Sequence, residues 1–420
     1  MKEKIKLGII GLGNRGSHLA KNIFGDMQDV EIRMICDLSE SNIEKAQKFF
    51  KEEKNVEVAG TTNWLEVVNC DEIDGVVIST SWALHVEMAI TAMKKGKYAA
   101  IEVGGVYDIS DCFRLVDAHE ETGMHCMMLE NCNYGRRELM TLRMAKEGVL
   151  GEIVHCTGSY MHDLRGTDLS GTYNKWGEVN TYRIKEYAAR NCDNYPTHAL
   201  GPICKVLNIN RGNRMMYLSS MASKSAGLKD YWERHKEDGN PMYGTEIKQG
   251  DIVVTNIMCA GGETIMLRLD TSLPRAYYSR DYSVRGTRGA YDEAHKVLFL
   301  DGMEEETCDN NEEEMFEKYD HPLQAEYVKL GEKEGHGGID WLVGRAYVES
   351  IKRGIPTPID TYDTASWMAI TPLTEQSIAL GGAPVQIPDF TRGKWIRREA
   401  PIETKYSLDL IVSDPDTPIY

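Results

Sequence analysis

KIKLGIIGLGNRG, residues Lys4 to Gly16, decides the fold of this chain. An apolar run, typical of a buried strand, stops there at a G-x-G-x-x-G sequence, and the helix-like residues Ser17 to Phe24 follow. In such a turn the first glycine permits the tight bend, the second lets a pyrophosphate approach the backbone, and the third lets the helix pack closely. The order of elements predicts a dinucleotide site at Gly11, Gly13 and Gly16.

A second apolar run, Val30 to Cys36, ends at an acidic residue, Asp37. Asp37 lies about 20 residues beyond the last glycine, where a carboxylate accepts hydrogen bonds from a ribose diol and repels a 2′-phosphate. This spacing favours NAD over NADP as the cofactor. The alternative is that Asp37 only precedes the next helix, for which Ser41 and Glu44 match a capping box.

Length and charge narrow the class of protein. A chain of 420 residues exceeds the size at which a single core stops growing, so two domains are expected. The formal net charge of -17 argues against a nucleic-acid backbone or an anionic membrane as the main partner. The 10 cysteines include no C-x-x-C spacing and are typical of reduced core thiols rather than of a disulfide framework.

The apolar runs and the N-terminal sequence bear on localisation. No stretch approaches the roughly 20 apolar residues of a membrane span. The first predicted strand follows the N-terminus directly. We therefore expect a cytoplasmic protein without a signal peptide.

Strands and helices alternate up to residue 130. Gly75 to Thr80 and Tyr98 to Glu102 are apolar runs typical of buried parallel strands. The segment Trp82 to His85 comes where one of these strands ends, which is the ligand side of a doubly wound sheet. His85 either contacts the nicotinamide half of the cofactor or faces water. Residues 1–130 are accordingly predicted to form an NAD-binding Rossmann domain.

Beyond residue 130 the pattern changes. Strand-like runs such as Asp251 to Cys259 and Thr264 to Leu269 follow one another without helices between them, which predicts an open, largely antiparallel sheet. The long polar and aromatic stretch Met161 to Asn194 is typical of a loop that lines a site. The acidic run Glu304 to Glu314 is expected to be a solvated loop. The fold class is therefore α/β, with a second, substrate-binding α/β domain over residues 131–420.

A Rossmann half followed by a half with an open sheet resembles the glucose-fructose oxidoreductase, inositol dehydrogenase and MocA superfamily. Many of its dehydrogenases carry Glu-Lys-Pro at the end of the fifth strand, where the lysine assists proton transfer. This chain has Glu102-Val103-Gly104 there, and a valine neither accepts nor donates a proton. The difference disfavours an ordinary sugar dehydrogenase.

Longer motifs in the second half resemble glycoside hydrolase family 109, the NAD-dependent α-N-acetylgalactosaminidases. The resemblance covers nearly the whole chain and rests on Glu130 to Tyr134, Gly158 to Arg165, Tyr195 to Pro202, Leu273 to Tyr277, His336 to Asp340 and Pro388 to Trp395. The departures are small, among them Tyr278 where a serine is expected. The family implies cleavage of terminal α-N-acetylgalactosamine, or of a related glycoside, by oxidation at C3, elimination, water addition and re-reduction, with NAD recycled.

By position, this resemblance implies two sets of contact residues. The implied cofactor contacts, besides the three glycines, are Asn14, Arg15, Asp37, Trp82, Ala83, Leu84, His85, Glu102, Val103 and Asn131. The implied substrate contacts are Tyr160, Arg183, Tyr195, Pro196, Thr197, His198 and Tyr277, with Tyr278 as an ambiguous neighbour of Tyr277. The candidate catalytic groups among and beside them are His198, Tyr195, Tyr160, Tyr277 and Glu130.

These residue types suit the implied chemistry. An elimination route needs acids and bases that work near neutrality but no flanking pair of carboxylates. A histidine such as His198 can serve as acid or base near neutrality, the phenol of Tyr160 can shuttle protons or hold sugar oxygens, and Arg183 can polarise a carbonyl oxygen. Alternatives stay open. Tyr195 before a proline suits a turn, His198 suits a helix cap or the interior, and Glu130 suits either proton transfer or a hydrogen bond to the backbone.

Two other functions stay open from sequence alone: an NAD-dependent sugar or polyol dehydrogenase with a replaced proton relay, and a non-catalytic NAD-bound sugar sensor. The many ionisable groups of the candidate site argue against the sensor. The expected partners are a small glycoside or glycan and, through the flat face of the open sheet, further copies of the chain in a homo-oligomer. No metal is expected, because the sequence has neither H-E-x-x-H nor a cysteine cluster.

Overall fold

The computed structural model describes residues 4–170, 182–236, 243–304, 310–331, 336–398, 403–414, 417 and 419. The chain divides into two compact units, each assembled from more than one segment. Unit 1 comprises Met1–Arg143, Asp320–Ser366 and Arg398–Tyr420, and unit 2 comprises Met144–Tyr319 and Trp367–Arg397. The linear division at residue 130 stays a prediction.

The strands of the described residues alternate with helices first and then follow one another closely. In chain order they are β1 Ile5–Ile10, β2 Val30–Cys36, β3 Ala59–Thr61, β4 Gly75–Ile78, β5 Tyr98–Ile101, β6 Cys126–Met128, β7 Ile153–Met161, β8 Met215–Ala222, β9 Ile252–Cys259, β10 Thr264–Asp270, β11 Ser283–Gly286, β12 Gly289–Asp292, β13 Val297–Leu300 and β14 Val385–Gln386.

The helices of the same residues are α1 Asn14–His18, α2 Glu40–Lys54, α3 Trp64–Asn69, α4 Trp82–Lys94, α5 Ile109–Thr122, α6 Arg136–Lys146, α7 Tyr182–Ala189, α8 Thr197–Val206, α9 Gly227–Arg234, α10 Glu312–Tyr319, α11 Pro322–Leu330, α12 Ile339–Arg353, α13 Thr361–Met368 and α14 Ile370–Ala379. Helix α1 continues into a π-helical turn, Leu19–Ile23. None of the described helices combines the length and the apolar character needed to cross a membrane.

Unit 1 is built on a six-stranded sheet in the order β3-β2-β1-β4-β5-β6, and all neighbouring strands are parallel. In the central strand β1, Ile10 lies opposite Cys36 of β2 and Ile78 of β4. Strands β4 and β5 are buried throughout, as parallel strands covered on both faces must be. This sheet confirms the predicted Rossmann fold, and the carboxyl ends of β1, β4 and β5 share the edge where such sheets bind ligands.

Helix α12, from the C-terminal part of the chain, also belongs to unit 1 and packs on this sheet. The hydroxyl of Tyr347 lies 3.1 Å from the carbonyl oxygen of Val76 and 2.9 Å from that of Tyr98. The guanidinium of Arg345 makes a bidentate pair with Asp29, at 2.5 and 3.1 Å. These contacts fix the position of α12 relative to β4 and β5.

Unit 2 is built on an eight-stranded sheet in the order β13-β12-β11-β7-β10-β9-β8-β14. Its neighbouring strands are antiparallel except for β7 and β10, which run parallel. The alternating burial along β9 and β10 shows one covered and one more accessible face. The open, largely antiparallel sheet expected from the sequence is therefore confirmed.

Two local predictions in the chain are wrong. Helix α2 is capped by Ser39, whose Oγ accepts a hydrogen bond from the amide of Asn42 at 3.4 Å, so Ser41 is not the cap. The acidic run is not a loop throughout, because α10 begins at Glu312. The carboxylate of Glu312 is buried and accepts a hydrogen bond from the hydroxyl of Tyr291 at 2.5 Å, which explains why an acidic residue lies inside. Residues 305–309 lie outside the described residues.

The long polar stretch between Met161 and Asn194 is partly helical. Residues 182–189 form α7, and residues 171–181 lie outside the described residues. The expectation that this stretch lines a site therefore applies here only to its two ends. The hairpin of β11 and β12 was not expected from the sequence, since its strands are short and interrupted by glycines and charged residues.

Candidate functional site

The three glycines of the loop after β1 meet three different surroundings in unit 1. Gly11 has a φ of +93°, and a Cβ on it would lie 2.3 Å from the carbonyl oxygen of Ser79. A Cβ on Gly16 would lie 2.0 Å from the carbonyl oxygen of Gly11. A Cβ on Gly13 would meet no described atom within 4 Å, and this residue is exposed. The first glycine thus serves the turn, the third serves close packing, and the second leaves room for a pyrophosphate, so the loop fits a dinucleotide.

Asp37, directly after β2, is tied to the same loop. One of its carboxylate oxygens accepts a hydrogen bond from the amide of Leu12 at 2.6 Å. The other accepts from the amide of Ser39 at 2.8 Å and from the side chain of Asn42 at 3.2 Å. Asp37 therefore both orders the glycine loop and precedes helix α2. Its contact with a ribose stays a prediction.

Within unit 1, Arg15 is connected to two other predicted cofactor residues, to Glu102 directly and to Asn131 through Asp340. Its Nε donates to Glu102 at 2.8 Å, and its two terminal nitrogens donate to the carboxylate of Asp340 at 2.6 and 2.8 Å. Asn131 donates to the same carboxylate at 2.6 Å. Burial alone would lower the pKa of Arg15, but Glu102 and Asp340 raise it, so the guanidinium stays charged. Glu102 also accepts from the amide of Val103 at 3.2 Å.

The start of helix α4 places its four candidate residues differently. Ala83 and Leu84 are exposed, whereas Trp82 and His85 are buried. The Trp82 ring lies against Gly104, where a Cβ would be 2.3 Å from the ring. His85 Nε2 lies 3.1 Å from the carbonyl oxygen of Thr80, and burial lowers the pKa of this imidazole to about 4. His85 is therefore neutral and does not face water, and its contact with nicotinamide stays a prediction.

Glu130 is a fully buried residue of unit 1 at the start of the Glu130 to Tyr134 motif. One carboxylate oxygen accepts a hydrogen bond from the amide of Cys132 at 3.2 Å and so caps the short 3-10 turn Asn131–Tyr134. This is the backbone contact that the sequence left open as an alternative to proton transfer. A role in proton transfer stays a prediction.

Within unit 2, aromatic and imidazole rings gather around Tyr160 at the end of β7. The Tyr160 ring centroid lies 4.4 Å from that of Tyr195 and 5.6 Å from that of His198. Tyr195 and His198 are themselves 5.0 Å apart, nearly edge to face. We call Tyr160, His162, Tyr195, His198 and Tyr278 the ring cluster. The structure thus brings together three of the predicted catalytic residues.

Arg183, in α7, completes one side of the ring cluster. Its guanidinium lies 5.1 Å from the centroid of the Tyr195 ring, and Asp168 lies 3.8 Å from one of its nitrogens. Burial alone would lower the pKa of Arg183, but Tyr182 and Asp168 raise it above its ordinary value. A charged donor group therefore lies beside the Tyr195 ring.

Of the two adjacent tyrosines, Tyr278 rather than Tyr277 makes the described ring contacts with Tyr160 and His162. The Tyr278 ring lies 6.1 Å from the Tyr160 ring and 5.4 Å from the His162 ring. Tyr277 is 70% exposed, and the described ring contacts place it beside Arg275 at 5.9 Å. The predicted role of Tyr277 stays a prediction. The doubled tyrosine after Arg275 was the sequence signal for this ambiguity.

His162 is a member of the ring cluster that is not among the predicted site residues. Its Nδ1 lies 3.4 Å from the hydroxyl oxygen of Tyr160. Burial lowers the pKa of His162. The imidazole next to the Tyr160 phenol is therefore disposed to be neutral, and it can exchange a proton with that hydroxyl.

Asp193 stabilises the turn that contains residues Tyr195 to His198. The carboxylate of Asp193 accepts from the amide of Tyr195 at 3.2 Å, while its own amide donates to Thr374 at 2.9 Å. The hydroxyl of Thr371 donates to the Asp193 carbonyl at 2.9 Å. Burial raises the pKa of Asp193 to about 7. Pro196 and Thr197 are buried at the start of α8, which fixes the direction in which His198 leaves the helix.

Sequence reasoning assigned no role to Asp193 or to Asp340. Asp340 closes the His336 to Asp340 motif, which served only as a point of resemblance. Each aspartate has one partner more than 170 residues away in sequence: the Asp193 amide bonds Thr374 at a separation of 181, and the Asp340 carboxylate bonds Arg15 at a separation of 325. No local pattern predicts such pairs.

Comparison with known families divides the chain into two matches. A family described as glycosyl hydrolase 109, C-terminal domain, matches residues 134–397. A family described as oxidoreductase, NAD-binding Rossmann fold, matches residues 5–130. Together these matches extend over both of the regions that the sequence motifs had indicated.

Individual proteins resemble the chain over most of its length. An alpha-N-acetylgalactosaminidase of Tannerella forsythia is 37% identical, over 94% of this chain and 88% of that protein. An alpha-N-acetylgalactosaminidase of Bacteroides fragilis is 38% identical, over 93% of each. The solved structure of levoglucosan dehydrogenase in complex with NADH and L-sorbose superposes with a TM-score of 0.66 at 16% identity, over 92% of this chain and 100% of that one. That last similarity concerns the fold.

Proposed function

The chain belongs to glycosyl hydrolase family 109 and carries an NAD-binding Rossmann domain, and from this we propose that it cleaves terminal α-N-acetylgalactosamine from a glycoside or glycan. The observation that carries the proposal is the ring cluster of unit 2. Phenols and imidazoles from separate strands, turns and loops meet there around Tyr160. Such groups can exchange protons near neutrality, as an elimination and re-addition at a sugar requires.

When bound, NAD would supply the acceptor for a hydride from C3 of the sugar and return it at the end of the cycle, while a base of the protein would take the proton of the C3 hydroxyl and give it back at the re-reduction. The protein's own groups would carry out the remaining proton transfers. A base removes the proton from C2, which the neighbouring ketone has acidified, and an acid protonates the departing glycosidic oxygen. Water is added by the reverse transfers. We propose that Tyr160, Tyr195 and His198 perform these transfers, and that Arg183 donates hydrogen bonds to a sugar oxygen.

The remaining site residues are proposed on their positions in the two units. In unit 2, Pro196, Thr197 and Tyr277 join the substrate contacts, and Tyr278 is added because its ring contacts Tyr160 and His162. Glu130 is proposed as a further proton-transfer group. In unit 1 the proposed cofactor contacts are Gly11, Gly13, Asn14, Arg15, Gly16, Asp37, Trp82, Ala83, Leu84, His85, Glu102, Val103 and Asn131.

Aryl glycosides test the proposed activity directly. We expect p-nitrophenol release from the α-N-acetylgalactosaminide that depends on NAD⁺ and produces no net NADH, with little release from the β-anomer. Deuterium at C2 should slow the reaction, because that hydrogen leaves as a proton. Stoichiometric NADH formation on a free sugar would instead indicate a dehydrogenase. NAD binding without reaction on any glycoside or sugar would indicate a sensor.

We also propose that the chain forms a homo-oligomer through the accessible face of the unit 2 sheet. Tyr217 and Met221 of β8 are exposed on it, at 37% and 67%, and lie opposite Met258 and Val254 of β9. Exposed apolar side chains on the face of a sheet are typical of an interface between copies. Light scattering should show a dimer or tetramer that Met221→Glu dissociates. A monomeric wild type would contradict the proposal.

Finally, we propose that the protein works in the cytoplasm. All nine described cysteines are free thiols, and eight of them are buried, which suits a reducing compartment. Cell fractionation of the source organism should recover the activity with cytoplasmic markers. Recovery from the culture medium would contradict this assignment.

A further inference from the structure

We propose that Asp340 is a positioning residue for the cofactor. Its carboxylate holds Arg15 and Asn131 in one arrangement before NAD binds. The inference rests on the cofactor contacts proposed above for these two residues. It assigns a role to a motif, His336 to Asp340, whose residues are not themselves among the proposed contacts.

The Asp340 carboxylate is fully buried and is surrounded by donors. One oxygen accepts from Arg15 at 2.8 Å and from Asn131 at 2.6 Å. The other accepts from Arg15 at 2.6 Å and faces Nδ1 of His336 at 2.7 Å. The ring of His18 approaches the same oxygen at 3.7 Å. A single side chain thus joins the glycine loop, the segment after β6 and the start of α12.

Charge indicates what the network does for the cofactor. Two carboxylates, Glu102 and Asp340, face the single guanidinium of Arg15. Arg15 therefore brings no surplus positive charge toward a pyrophosphate, and its value lies in a fixed geometry rather than in attraction. Burial alone would raise the pKa of Asp340, but hydrogen bonds from Arg15 and His336 lower it well below its ordinary value. The carboxylate therefore stays ionised and keeps its hydrogen bonds from Arg15 and Asn131.

Asp340 itself is held firmly. It lies in the first turn of α12, two residues after Gly338, whose φ of 87° sets the start of the helix. The same helix is fixed to the sheet by Tyr347 and by the pair of Arg345 with Asp29. Because Asp340 is fixed on this helix, its partners are ordered before NAD binds. The entropy cost of ordering them therefore does not lower the affinity for the cofactor.

The competing explanation is that Asp340 only stabilises unit 1 as a buried ion pair. Asp29 provides a matched control, because it too makes a bidentate pair with an arginine of unit 1. Its partner is the buried Arg345 of α12. Its described side-chain partners are Arg345 and Lys352, neither of which is a proposed cofactor contact. A purely structural role predicts similar effects of replacing either aspartate.

The experiment compares Asp340→Asn with Asp29→Asn in the full chain, by NAD titration of tryptophan fluorescence and by thermal unfolding. Both variants are expected to unfold at lower temperature. We expect Asp340→Asn to weaken NAD binding by about tenfold and Asp29→Asn by less than about twofold. Equal losses in the two variants, or unchanged or tighter NAD binding in Asp340→Asn, would overturn the inference.

Arg15→Ala separates this inference from the contacts on which it rests. We expect Arg15→Ala to weaken NAD binding, and the double variant with Asp340→Asn to lose less than the product of the two single effects. Unchanged affinity in Arg15→Ala would refute the proposed contact. Weakened affinity in Arg15→Ala alone, with normal binding in Asp340→Asn, would refute only the positioning role. If Asp340→Asn does not fold, His336→Ala removes one partner of the same carboxylate, and its NAD affinity should fall by about two- to threefold. Unchanged affinity there would refute the role.

Discussion

The candidate site of unit 1 and the ring cluster of unit 2 are each stabilised by different interactions. In unit 1, ion pairs and hydrogen bonds of 2.6 to 2.8 Å connect Arg15, Glu102, Asn131 and Asp340. In unit 2, the ring cluster is packed through ring contacts, with centroids 4.4 to 6.1 Å apart. The first arrangement is directional and tolerates little change in angle. The second fixes the ring planes but lets phenol and imidazole protons move.

This difference matches two chemical demands. A cofactor that ends each cycle as it began needs a receptor of fixed shape. A substrate that loses and regains protons needs groups whose protonation changes during the cycle. Mutations in the candidate site of unit 1 should therefore lower NAD affinity, and mutations in the ring cluster of unit 2 should lower turnover.

His198→Ala should have the largest effect, and it should fall on turnover alone. Loss of a general acid or base lowers the rate by about a thousandfold, whereas NAD affinity should stay within about twofold of wild type. Aryl glycoside assays and NAD titration measure the two quantities. His155→Ala, which removes a half-buried histidine of β7 whose ring bonds Thr264 and Thr157, is the control and should keep its turnover. Comparable activity of His198→Ala and wild type would show that His198 takes no part in the proton transfers.

The second prediction contrasts two buried aspartates. Burial raises the pKa of Asp193 from its ordinary 3.8 to about 7, so the folded state binds this proton more tightly than the unfolded chain. The free energy of unfolding should therefore fall as the pH rises from about 4 to about 7. Asp340, with a lowered pKa, has the opposite sign and loses its contribution as the pH falls.

Asp193→Asn isolates this effect because asparagine is neutral at every pH and can still accept the Tyr195 amide. At pH 8 the variant should be more stable than wild type by about 2 to 4 kcal/mol, and near pH 4 the two should be nearly equal. Urea unfolding at both pH values measures the difference. A variant that is less stable at pH 8 would show that Asp193 is ionised at little cost in the folded protein.

How much the sequence predicts also differs between the candidate site of unit 1 and the ring cluster of unit 2. The glycine loop and Asp37 were predicted from spacing, because strand, turn and helix are consecutive there. The ring cluster required the family resemblance, since Tyr160, Tyr195 and Tyr278 come from separate elements. Asp193 and Asp340 were missed altogether. Asp193 contacts Thr374 and Asp340 contacts Arg15, and in each pair the two residues lie far apart in sequence, so that only the packing of α14 and α12 brings them together.

Gly13→Ala should weaken NAD binding without loss of stability. Gly13 has a φ of -61°, which alanine adopts readily, and a Cβ there would meet no described atom within 4 Å. The added methyl would occupy the space proposed for the pyrophosphate, at a cost of about 1 to 3 kcal/mol in binding. Gly16→Ala is the contrasting variant and should destabilise unit 1, because its Cβ would collide with the Gly11 carbonyl oxygen. Normal NAD affinity in Gly13→Ala would place the pyrophosphate elsewhere.

Two adjacent tyrosines give the finest test of the ring cluster. If packing with Tyr160 marks the residues that act on the substrate, Tyr278→Phe should lower kcat/KM by about three- to tenfold, because it removes a hydroxyl and leaves the ring. Tyr277→Phe should lower it by less than about twofold, since water already solvates that exposed phenol. The same aryl glycoside assay measures both. The reverse order would support the proposed role of Tyr277, and it would mean that ring contacts within unit 2 do not identify the substrate-binding phenols.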